Sequence, residues 1–120
     1  MVSLNRVIVA GKLKDDPELK VTAEGRKLST MTLVIDDMWK NKEGEIVKKS
    51  TLINVICYGS LAENVSRYLG RARTIMVEGR IETDTNKDDK GNRHYITRIN
   101  ANNVVFLENR SSKGARDYAY

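Results

Sequence analysis

Along most of its length this chain places apolar residues at every second position, and it breaks that rhythm only once. Alternate side chains of an extended chain point to opposite faces, so a period of two marks strands with one buried face. Residues 5–13 (NRVIVAGKL) are rich in β-branched side chains and stop at the turn-prone Lys14-Asp15-Asp16-Pro17, which holds the only proline. Residues 19–22 form a brief extended piece ending at Ala23-Glu24-Gly25. A long strand over 28–39 puts Met31, Leu33 and Ile35 on one side and Thr30, Thr32 and Asp36 on the other. Asn41-Lys42-Glu43-Gly44-Glu45 reads as a hairpin turn, and 47–58 returns with its more apolar residues at odd positions, including Ile53, Val55 and Cys57. Residues 73–84 alternate again, with Ile75, Val77 and Ile81 predicted inward and Glu78, Arg80, Glu82 and Asp84 outward. After a turn over 87–92, the last strand, 95–107, has Tyr95, Thr97, Ile99 and Ala101 on one parity.

The break falls at Ser60. Ser60-Leu61-Ala62-Glu63 has the serine and the glutamate three residues on that make a capping box. Leu61, Val65, Tyr68 and Leu69 follow at helical spacing, and Gly70 is the expected stop. A helix this short is marginal alone, so it must be held by packing. Five strands, a helix between the third and fourth, and turns too short for parallel crossovers predict an all-β, antiparallel Greek-key barrel, whose closure removes exposed sheet edges. Residues 1–108 are expected to form this domain and 109–120 a short, polar, disordered tail.

Composition narrows the function. At 120 residues and 13.6 kDa the chain supports one core, not two. One cysteine, Cys57, rules out an intrachain disulfide and a cysteine-rich zinc site; one histidine, His94, rules out paired-histidine metal sites. Asp84, Asn86 and Asp88 mimic the first three ligand positions of a calcium loop. However, Asp89 stands where the turn needs glycine and Tyr95 where a bidentate glutamate belongs. No catalytic constellation is visible, so neither an enzyme nor a metal or other cofactor is expected. The longest clean apolar runs, such as Val7-Ile8-Val9-Ala10, fall far short of a bilayer span, and no leader is visible, so a cytoplasmic, reduced protein is expected. A net charge of +5 is compatible with a polyanionic partner without demanding one.

Several segments then resemble, in register, the oligonucleotide-binding (OB-fold) barrel of bacterial single-stranded DNA-binding proteins. They are Asn5-Arg6-Val7 with Gly11 and Leu13, Asp16-Pro17-Glu18 with Thr22 and Gly25, and Trp39 before Lys40. Further on come Tyr58-Gly59-Ser60-Leu61-Ala62-Glu63, Tyr68-Leu69, Val77-Glu78-Gly79-Arg80-Ile81, and Gly91 ahead of Tyr95-Ile96-Thr97. The resemblance implies a five-stranded barrel that assembles as a homotetramer, or alternatively a dimer, and binds single-stranded DNA during replication, recombination and repair. Bases would stack on Trp39 and Tyr58, with Arg6, Lys40, Lys42, Arg71 and Arg80 as phosphate contacts and Lys48 and Lys49 nearby.

This sequence also departs from the family pattern. Leu52 and Asn86 stand where the family usually has tryptophans, Glu82, Asp84 and Thr85 replace basic hairpin residues, and Ala72 replaces a loop glycine. The chain ends at Asp117-Tyr118-Ala119-Tyr120 without the glycine- and proline-rich linker and acidic tip, so tail-mediated recruitment of replication and repair partners is not expected. A dimeric replication-restart accessory protein and a protein-contact module of the same fold remain alternatives. Parity puts Tyr58 on the more polar face of its strand, whereas it groups Trp39 with Met31, Leu33 and Ile35, so the stacking role of Trp39 rests on the resemblance. Cys57 falls on the core parity, and His94 reads as a surface residue.

Overall fold

The computed structural model describes residues 2–107. Six strands and a helix follow in the order β1 (Val7–Leu13), β2 (Glu18–Val21), β3 (Lys27–Lys40), β4 (Ile46–Tyr58), α1 (Gly59–Tyr68), β5 (Thr74–Lys87) and β6 (Arg93–Leu107). The five long strands make the predicted barrel. β1 runs antiparallel to β5 from Val7↔Gly79 to Lys12↔Thr74, and its last residues cross to β3 at Lys12↔Val34 and Leu13↔Leu33. The ring closes through β5–β6, a short parallel contact between β4 and β6 at Val55↔Ile99 and Ile56↔Asn100, and the long β3–β4 hairpin. The brief extended piece becomes β2, a strand laid on β3 outside the ring.

Inward positions of the ring fill the core with Leu13, Met31, Leu33, Val55, Cys57, Ile75, Val77, Ile99 and Ala101, and α1 adds Ala62 and Val65 from one side. The helix is tied down by the Ser66 hydroxyl, which donates to the fully buried Ser29 hydroxyl at 3.1 Å. Closure needs two close backbone approaches. A Cβ on Gly11 would lie 2.4 Å from the Val34 carbonyl oxygen, and one on Gly79 only 2.1 Å from that of Asn100. Gly79 sits at the bulge that bends β5 against β6.

Three local expectations are corrected. The helix begins at Gly59, directly off β4, so Tyr58 holds the N-cap position and no side chain caps it. Ser60 is therefore already inside the first turn and the capping box does not form; Glu63 pairs instead with Lys27 at 2.9 Å. Gly70 does not adopt the left-handed conformation of a helix stop. That conformation falls to Ala72 (φ 72°), whose N–H donates to the Leu13 carbonyl at 2.9 Å. Finally, Ile81, expected inward, is exposed, and so is Tyr95 on the parity of the buried Ile99, because β5 and β6 continue beyond the core to Lys87↔Arg93. The expected tail, 109–120, lies outside the described residues.

Candidate nucleic-acid interface

The β3–β4 hairpin also outruns the barrel. Its register is unbroken from Leu28↔Tyr58 to Lys40↔Ile46, yet residues 36–40 of β3 are all exposed, so its far half is an arm with no core behind it. Residues directly opposite in a ladder share a face. One face carries Ser29/Cys57, Met31/Val55 and Leu33/Ile53 in the barrel, then Asp37/Lys49 and Trp39/Val47 on the arm. The other carries Leu28/Tyr58, Val34/Leu52, Asp36/Ser50, Met38/Lys48 and Lys40/Ile46. Trp39 thus keeps the core parity but remains 47% exposed, since the core ends before it. The arm also leaves Met38, Ile46 and Leu52 exposed.

The basic candidates divide into two groups. Lys40, Lys42, Lys48 and Lys49 all lie on the arm or its turn, are exposed, and make no ion pair among the described residues. The turn that carries Lys42 is pinned by Asn41, whose side-chain oxygen accepts from the Glu43 and Glu45 amides at 3.0 and 2.9 Å. Arg6 and Arg80, by contrast, are engaged on the β1–β5 side: Arg6 with Glu78, and Arg80 with Glu82 at 3.3 Å. Arg71 is exposed in the loop after α1, where its backbone N–H donates to Asp16 Oδ1 at 2.8 Å.

Glu82 and Asp84 of the β5–β6 hairpin are spent internally. Arg98 pairs with Asp84 and stands 4.0 Å from Glu82, which also accepts from Asn100 at 3.0 Å. Repulsion of phosphate by Glu82 and Asp84 is thereby reduced. Between β2 and β6 the barrel's outer face holds a groove of about 350 Å³ with Asp15, Asp16 and Glu18 on one rim, Thr32 and Asn54 in its floor, and Arg98 opposite. With Arg98 already paired, this groove is poor in available positive charge; the lysines of the arm are where cations stand ready.

One residue escaped the sequence reading. The Arg26 guanidinium lies over the half-buried Tyr58 ring, 3.8 Å from its centroid. Arg26 sits two residues before Leu28, the cross-strand partner of Tyr58, so it shares that face. The signal was legible only once the pairing was known. Elsewhere, Cys57 is fully buried and its thiol is pushed up to about 11 by burial, which makes it inert as a nucleophile. His94 stands 3.0 Å from Asp88 at the hairpin tip, and that contact, with the Asn92 and Lys90 amides, holds the Asp88 carboxyl below its ordinary range. Among the described residues no cluster of metal-ligating side chains occurs, and no helix is long and apolar enough to cross a membrane.

Comparison with known proteins agrees with this architecture. The chain is 34% identical over 117 residues to a single-stranded DNA-binding protein of Staphylococcus aureus (strain MRSA252), covering 98% of this chain and 74% of that one. It is 33% identical over 117 residues to single-stranded DNA-binding protein A of Bacillus subtilis (strain 168), covering 98% of this chain and 67% of that one. Among solved structures, the Plasmodium falciparum SSB complex with ssDNA superposes with a TM-score of 0.82 at 22% identity, over 90% of this chain and 98% of that one, a likeness of fold. Residues 4–107 match the single-strand binding protein family, and the chain belongs to that family.

Proposed function

We propose that this protein coats single-stranded DNA without regard to sequence and protects it during replication, recombination and repair, as a binding protein and not an enzyme. The observation that carries the reading is one β-ladder bearing the exposed Trp39 ring on one face, the half-buried Tyr58 ring on the other, and four lysines that make no ion pair among the described residues, Lys40, Lys42, Lys48 and Lys49. Every base has a π-face, so stacking on such rings tolerates any sequence and contributes ~1–3 kcal/mol per base. The lysines add a salt-sensitive hold on the phosphates. Arg6, Arg71 and Arg80 join the path where the strand passes the barrel, and for Arg6 and Arg80 this requires exchanging a carboxylate for a phosphate. The binding unit is the domain over residues 1–108, acting in the bacterial cytoplasm.

Self-association completes the reading. β1 pairs with β5 along its length but with β3 only at Lys12 and Leu13, so its other edge is open from Val7 to Gly11. An open edge is a template for another strand. Two copies joined there would give a dimer, and a pair of dimers a tetramer.

The test is a fluorescence titration of Trp39, the only tryptophan, with oligo(dT) at two salt concentrations. Quenching is expected, with a log–log salt slope of about −3 if four lysines each neutralise a phosphate at roughly 0.7 per contact. Silence up to tens of micromolar would point to the protein-contact alternative, which the acid-rimmed groove would then favour.

A further inference from the structure

We propose that Arg26 is a displaceable cover on Tyr58, exchanging the ring for a phosphate when a nucleobase arrives; this rests on the single-stranded DNA reading above. At 3.8 Å from the ring centroid the guanidinium is in stacking contact, and Arg26 is exposed, so it occupies the solvent side of the ring, where a base would stack. Only the side chain has to move. The Arg26 backbone is fixed by its turn: its N–H donates to Thr22 Oγ1 at 3.0 Å and its carbonyl accepts from the Thr22 amide at 2.8 Å. Nor does a carboxylate hold the guanidinium. Arg6, Arg80 and Arg98 each have an acidic partner, whereas among the described residues Arg26 pairs with none.

An exposed cation–π contact is weaker than a base stacked on an aromatic ring, so the exchange runs toward the base. The released guanidinium keeps its charge and its fork of N–H donors, whose geometry fits a phosphate, and the backbone of the stacked nucleotide lies within its reach. Cover and clamp are thus the same side chain. The device also favours strands over free bases, because a ring that brings no phosphate frees the cation without giving it a partner.

Two measurements on the full chain test this. In the free protein the Arg26 δ-methylene protons should resonate upfield because of the Tyr58 ring current, an assignment secured by its loss in Tyr58→Leu. Saturating oligo(dT) should abolish that shift. Trp39 fluorescence titrations should show that Arg26→Gln lowers the salt slope by about 0.7, the share of one phosphate contact on a single strand. Arg26→Lys should keep the slope. An upfield shift that persists at saturation, or an unchanged slope in Arg26→Gln, overturns the exchange while leaving DNA binding intact. Failure of the wild-type protein to bind oligo(dT) at any salt instead overturns the nucleic-acid reading, and the exchange with it.

Discussion

Trp39 and Tyr58 differ in how far the sequence could speak for them. Parity identified Tyr58 as an outward residue because the barrel lies behind it, and an alternating pattern is read against a core. It assigned Trp39 to the inward face, and the register keeps it there, but parity does not say where the core ends. Arg26 was invisible for a related reason: turn residues obey no period, and its partner across the ladder is 32 positions away in sequence. Leu52 offers the most direct test at this scale. It is 57% exposed and lies on the face that carries Tyr58 and Lys48. Leu52→Trp should add a stacking platform and tighten oligo(dT) binding by ~1–3 kcal/mol, roughly 5- to 150-fold. An unchanged affinity in the titration would mean that the DNA path does not cross this face. Cys57 gives the opposite kind of prediction. With its thiol raised to about 11 and no exposed surface, it should react with a thiol reagent only as fast as the protein unfolds. Labelling faster than global unfolding, followed by mass spectrometry, would show that the core opens locally at β4.

At the scale of elements, the helix was legible because a change of hydrophobic period is a strong signal, while its start was not. Gly59, at φ 71°, lets the chain turn from strand to helix without an intervening cap residue, and nothing in a capping-box pattern distinguishes that case. The two hairpin arms illustrate a second limit: turn residues locate the tips, but strand length beyond the core has no hydrophobic signature. The tip of the β5–β6 arm is held by Asp88, whose carboxylate accepts from the Lys90 and Asn92 amides at 2.9 and 2.8 Å and faces His94 at 3.0 Å. These contacts lower its folded-state pKa below the unfolded value. The stability they contribute is therefore present above the ordinary aspartate range and is lost as pH falls through the lowered value. The backbone amide shifts of Lys90 and Asn92, followed by NMR against pH, should titrate with a midpoint below that of an unstructured aspartate. Asp88→Asn should remove the transition. A midpoint at or above the ordinary value would show that the tip contacts do not favour the charged form.

For the molecule as a whole, closure is the property on which both arms depend, since each arm is the free end of a hairpin rooted in the ring. The order of strands and helix was readable because short turns exclude parallel crossovers. The closing geometry was less so: the parallel β4–β6 contact joins strands far apart in sequence, and β2 is too short to announce which strand it joins. What permits closure is one backbone crowding another, and Gly79 is the tightest case. Its hydrogen faces the Asn100 carbonyl at the bulge, and a methyl group there would also come within 2.9 Å of the Ala101 Cα. Both obstacles are backbone, so neither can rotate away; β5 or β6 must shift. Gly79→Ala should therefore destabilise the fold by ~1–3 kcal/mol or somewhat more, the usual cost of overpacking. In chemical denaturation this should appear as a lower midpoint at an unchanged slope, the mark of lost stability without altered compactness. Because the bulge also sets the direction in which the β5–β6 arm leaves the barrel, the variant should shift the amide resonances of the 82–98 hairpin while those of the 37–49 arm stay in place. Equal disturbance of both arms would mean that strain at the bulge spreads through the ring, and that the two arms do not report on separate corners of the barrel.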